Sequence, residues 1–317
     1  MISQAAAAVL KQLVNEGVSP WLSEWACTDN DWDAARCLAE RQGFLGHFAP
    51  AGVPHPALRA ACDSLSPAFE ESGGRHGQVS ASLSPASAHD AFAFVVEAAA
   101  LQRAVQRPNM LVRIPATQAG LAAVSACVAR GIGVDATLIF SVGHYGRVLS
   151  AYMDGLDLAL ANGLPLERIT LLASFPIGLI DEEVNSRLES VPADVADQLR
   201  DTAGVAVAQL IYRAREERLN STWWRVLRSA GAAAPRLAWI GAGPGHVGAL
   251  VGSNSVLSLA VDILENVVTD NVLHGDTLLN AHAQGRSTLE LLGSHGIDMD
   301  VVAEALGKRT CPVEQPL

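Results

Sequence analysis

Short apolar runs that recur between helical stretches from one end of the chain to the other constrain this fold more than any other feature. NMLVRIP, GVDATLIFS, RITLLASF and RLAWIGAG are each only a few residues long and largely apolar on both faces. Strands of that kind lie buried on both sides, which is the condition of a parallel sheet covered by helices. The segments between the first three, AGLAAVSACVARG and HYGRVLSAYMDGLDLALANG, have the length and apolar spacing of helices. VSPWLSEW, GFLGHFAP and QVSASLS add three earlier strands, and a doubtful eighth lies near LSLAVDI. A helix is expected at WDAARCLAERQG, another at HDAFAFVVEAAALQRAVQR, one from Val195 to Leu219 and one from Ser221 to Gly231. At 317 residues, with no linker or low-complexity break, the chain predicts one domain over 1–317. Its expected fold is an α/β (β/α)8 TIM barrel with additional helices. A doubly wound sheet is the runner-up, because GAGPGHVG at 241–248 follows a strand. Pro244 and the late position argue instead for a glycine-rich barrel loop.

Charge narrows the partners. With 33 acidic against 22 basic residues the chain carries −11, the wrong sign for nucleic acid or an anionic membrane surface. The longest uncharged stretch, 237–261, is broken by glycines and Pro244, so no membrane span is expected. The N-terminal run reads as an amphipathic helix and the expected location is the cytoplasm. Five scattered cysteines show neither metal-ligand nor disulfide spacing, so no metal and no cofactor are expected. The expected partner is a small-molecule substrate, with a homodimer left open. Of the basic residues only Lys11 and Lys308 are lysines. Chemistry that needs an amine therefore has two side chains to draw on, both near the chain ends.

The segment RPNMLVRIPATQAGLAAVSACVARGIGVDATLIFSVGHYGRVLSAYMDGL resembles transaldolases, particularly the long actinobacterial type. The likeness extends, less densely, to WLSEW, HGQVSASLSP, LLASFPIGLIDEEVNSRL, WWRVL, PRLAW and HGDTL, in the family's order. It implies a (β/α)8 barrel that moves a dihydroxyacetone unit between sugar phosphates through a lysine Schiff base. Carried over by position, that lysine falls on Arg113, whose guanidinium stays protonated and cannot supply a nucleophilic amine. The catalytic aspartate falls on Ser23, with Glu24 beside it; the acid/base glutamate falls on Ser82 and a neighbouring aspartate on Ser84. The asparagine before TLIFS becomes Asp135, while Thr137, Ser141 and Ser174 are kept. The phosphate-holding arginine falls on Leu179, the serine of the seventh strand on Gly241, and the second strand's threonine and asparagine on His47 and Ala49.

These replacements set the expectation of a repurposed, transaldolase-like lyase or transferase relative that does not perform Schiff-base transfer. It would run lysine-independent carbonyl chemistry (aldol-type, cyclisation, dehydration or isomerisation) on a small non-phosphorylated substrate. Arg113, Asp135, Glu24 and His47 are the expected catalytic groups, and Ser23, Ser82, Thr137, Ser141 and Ser174 the expected substrate contacts. Two alternatives stand beside it: an inactive relative kept as a scaffold, and an authentic sugar-phosphate transaldolase with a relocated amine.

Overall fold

In the computed structural model eight parallel strands close on themselves in sequence order. They are β1 (Val18–Leu22), β2 (Gly46–Ala49), β3 (Gln78–Ser82), β4 (Met110–Pro115), β5 (Val134–Thr137), β6 (Leu171–Pro176), β7 (Arg236–Ile240) and β8 (Ser255–Leu259). The structure describes residues 2–23, 43–83, 90–267, 273 and 275–310. Of the expected helix at 32–43 only the terminal Gly43 is among them.

Closure decides against the doubly wound alternative. The doubtful strand is β8, and it seals the ring by pairing with β1 from Val18↔Ser255 to Leu22↔Leu259. Parallel neighbours require crossovers, and the helices between strands supply them. Where one helix from Val195 to Leu219 is expected, two form, Ala193–Leu199 and Ala203–Leu219. The break falls at Asp201, whose φ of 56° is left-handed and cannot continue a helix. GAGPGHVG is the loop after β7, as its late position implies. Gly241 takes φ +73° there, and its carbonyl lies where a Cβ on Gly178 would come within 2.4 Å. Among the described residues no helix is long and apolar enough to cross a membrane.

The core has two shells. Outside the ring, helices cover the strands' outer faces. Inside it, Trp21, Phe48, Leu111, Leu172, Ala238 and Val256 form a separate plug, with Ile240 packed against it. Trp21 fits because position 46 is glycine: a Cβ there would meet the indole ring at 2.3 Å. Polar side chains occupy both ends of this plug. At the lower end, where the strands begin, are Ser19, Gln78 and Arg236; at the upper end, where they finish, are Arg113, Asp135 and several serines.

Candidate active site at the barrel mouth

The upper end is where a (β/α)8 barrel does its chemistry, because loops follow the strand ends there and can vary without disturbing the core. A cavity of about 260 Å³, counted to its open rim, is lined by Ser23, Phe48, Arg113, Thr137, Ser174, Ile240 and Ser258. Each comes from a different strand or its end, so the site exists only once the ring has closed. Much of that volume is open to solvent, so a ligand bound here extends past the rim.

Arg113 and Asp135 are register partners on β4 and β5. Arg113 Nε donates to Asp135 Oδ2 at 3.3 Å and to Ser80 Oγ at 3.2 Å, and Nη1 donates to Ser82 Oγ at 3.3 Å. Its guanidinium carbon sits 5.1 Å from the centre of the Phe48 ring, and Phe48 packs on Trp21 at 4.9 Å. This places the cation over an aromatic face, a favourable arrangement where water is scarce. Asp135 is fully buried, and both its oxygens are engaged: Ser80 donates to Oδ2 at 2.5 Å and Ser174 to Oδ1 at 2.6 Å. Two hydroxyl donors and a cation stabilise the buried carboxylate, which is the condition for keeping a charge in an interior. The arginine side chain keeps 11% of its exposure and lines the cavity, whereas Asp135 does neither. The pair therefore presents its positive half to a ligand.

The other expected groups divide. Ser23, Thr137 and Ser174 line the cavity, and Ser82 reaches it through Arg113. Ser141 does not line it; its hydroxyl accepts the His144 backbone N–H at 3.2 Å and so caps the helix Val142–Ala161. His144 turns its ring to the Ala116 carbonyl. His47 is not a cavity residue either. It sits in register between Leu22 and Val79, both of the outer shell, while the next residue, Phe48, points inward. Side chains alternate along a strand, so only one of the two can face the mouth. Burial holds the His47 imidazole neutral, its pKa pushed down to about 4 chiefly by desolvation, against a hydrogen bond to the Leu22 backbone. Glu24 and Ser84 lie outside the described residues.

Four contributors escape the sequence reading: Phe48, Ser80, Ile240 and Ser258. Ser80 was within reach, since it lies two residues before Ser82 and so on the same strand face. Ser258 sits on the strand whose existence was in doubt. Among the described residues no group of His, Cys, Asp and Glu is arranged to hold a metal ion.

Comparison with known proteins turns this geometry into a family. The transaldolase/fructose-6-phosphate aldolase family model matches residues 55–311. A transaldolase of Acidothermus cellulolyticus is 37% identical over 84% of this chain and 76% of its own length. One from Mycolicibacterium smegmatis is 38% identical over 78% of this chain and 69% of its own, and transaldolase 2 of Streptomyces coelicolor is 35% identical over 94% and 91%. These matches overturn the expectation of a repurposed barrel with a non-phosphorylated substrate. Relatives carrying the transaldolase name resemble the chain along most of its length, and they favour the authentic transaldolase that stood as an alternative.

Proposed function

Since the chain belongs to the transaldolase/fructose-6-phosphate aldolase family, we propose that it is an enzyme catalysing transaldolase-type transfer between sugar phosphates. In that reaction the C3–C4 bond of a ketose phosphate breaks as the C4 hydroxyl loses its proton, C4 departs as the aldehyde of a shorter aldose phosphate, and the retained dihydroxyacetone carbanion adds to the aldehyde carbon of a second aldose phosphate, whose oxygen takes up the proton. The observation that carries the reading is 37% identity to a transaldolase across 84% of the chain. A mouth cavity lined by Arg113 and four hydroxyl-bearing residues, Ser23, Thr137, Ser174 and Ser258, supports it. On this reading the protein works in the cytoplasm, where phosphorylated sugars are held.

The chemistry asks two things of the mouth. Negative charge develops on the donor fragment as the bond breaks, and a fixed cation beside it lowers that barrier. Arg113, held by Ser80, Ser82 and Asp135, is the cavity's cation. An imine, by contrast, needs a neutral amine, which a guanidinium does not provide. Lys11 and Lys308 lie on the helices Gln4–Asn15 and Met299–Thr310, and neither lines the cavity; Lys308 pairs with Glu304 at 2.6 Å. Residue 113 is therefore where the reading is tested hardest.

The test is a coupled transfer assay from fructose 6-phosphate to erythrose 4-phosphate with wild type and Arg113→Lys, run beside borohydride trapping and peptide mapping. Transfer by wild type is expected, and a reduced adduct would name the amine. Transfer without an adduct would keep the reaction and leave charge stabilisation to Arg113. Absence of transfer in wild type would overturn the reading; activity appearing only in Arg113→Lys would mark the natural protein as an inactive relative.

A further inference from the structure

Most hydroxyls around the mouth have work within the protein. Ser80 and Ser174 donate to Asp135, and Ser82 accepts from Arg113. Ser258 differs. It is 3% exposed and lines the cavity, yet its Oγ has no hydrogen-bond partner among the described residues. A buried hydroxyl left unsatisfied is unfavourable and uncommon in native interiors, and one facing a cavity is satisfied by whatever enters.

The position sharpens this. Ser258 lies on β8 in register with Trp21 of β1, and Arg113 lies on β4. In an eight-stranded ring β4 and β8 are opposite, so the cavity has a cation on one wall and an unengaged hydroxyl on the other. The lining on either side of Ser258 is Ile240 of β7, which offers no polar group, and Ser23 at the end of β1. A ligand that satisfies both walls carries an electron-rich oxygen at one end and a hydroxyl at the other. We infer that Ser258 is a specificity-determining residue that hydrogen-bonds a hydroxyl of the carbohydrate fragment bound in the mouth. This rests on the proposed sugar-phosphate reading for the identity of the ligand, though not for the existence of the site.

The experiment compares wild type, Ser258→Ala and Ser258→Thr by thermal unfolding, by calorimetric binding of dihydroxyacetone and fructose 6-phosphate, and by KM and kcat in the transfer assay. A hydroxyl with no partner among the described residues holds no part of the fold together, so Ser258→Ala should unfold at the same temperature or higher. Binding of both ligands should weaken about five- to tenfold, with KM rising by the same factor and kcat little changed. Ser258→Thr, which keeps the hydroxyl, should recover part of the affinity. A fall in thermal stability in Ser258→Ala, or unchanged dihydroxyacetone affinity, would overturn the inference. If wild type binds dihydroxyacetone but neither binds nor turns over fructose 6-phosphate, the sugar-phosphate reading fails while Ser258 is still judged on dihydroxyacetone. If wild type binds neither, both fail.

Discussion

Among the described residues two arginines stand inside this barrel, one at each end, and they are solvated in opposite ways. Arg113 at the mouth has a carboxylate partner, an aromatic face beneath it and a cavity in front. Arg236 at the floor is 4% exposed and has no carboxylate within ion-pair distance among the described residues. Its Nη2 donates to Ser19 Oγ at 2.8 Å and to the Ser255 carbonyl at 3.5 Å; its Nη1 donates to Gln78 Oε1 at 3.3 Å and to the Arg75 carbonyl. Ser19 Oγ is in turn hydrogen-bonded to His76 Nδ1 at 2.6 Å. Burial, with Arg215 and Arg75 adding positive charge nearby, lowers the Arg236 pKa to about 9. Neutral dipoles alone hold that cation, and the arrangement stitches β1, β3, β7 and β8 together where the ring begins. The comparison separates two uses of one residue type: at the floor both terminal nitrogens donate to the fold, and at the mouth the charge is balanced and part of it is presented outward.

The largest effect is expected at the floor. Arg236→Ala removes the shared donor from acceptors on three other strands and from the Arg75 carbonyl and opens a void, so stability in urea should fall by about 3–5 kcal/mol. No second substitution should rescue it, because no single partner is left charged. Arg113→Met should lose about 3 kcal/mol by leaving Asp135 buried without its cation, and Arg113→Met/Asp135→Asn should return to within about 1 kcal/mol of wild type. Equal rescue at both ends, or at neither, would break the comparison.

A pH titration sharpens it next. His47 and His76 are both held low, to about 4, by burial first; Arg236 adds to the effect on His76. With folded values below the ordinary 6.5, the unfolded chain binds more protons between about pH 4 and 6.5, so stability is full above that window and declines as pH falls through it. Substituting His47 by leucine should flatten this acid limb by up to about 3 kcal/mol, as its shift implies. The smallest effect is expected at Ser141. Its alanine variant should lose about 1 kcal/mol as a helix cap and leave transfer kinetics unchanged.

Much of this was legible before the fold was known. Four apolar strand cores with helices between them specify a parallel α/β ring, and the VRIPAT segment with its neighbours carries the family. The mouth was legible wherever a strand's phase was fixed by a chemically distinctive residue: Arg113, Asp135, Thr137 and Ser174 meet as expected. It was misread where two neighbours were both plausible. In GHFA the polar His47 invites selection, yet the alternation places Phe48 inward, because Trp21 needs an aromatic neighbour in the plug and Gly46 clears the space for it.

What the sequence determined by itself is the parallel barrel, the family and the arginine at position 113, since hydrophobic period, motif order and residue identity are local properties of the chain. Tertiary structure alone decided that β8 closes the ring, that Arg236 plugs the floor, that Asp135 is sealed behind three donors, and that Ser258 faces the cavity with its hydroxyl unengaged. Each depends on which strand lies beside or across from which, and pairing between residues as distant as 19 and 236 is set by closure of the ring, which no local stretch of sequence encodes.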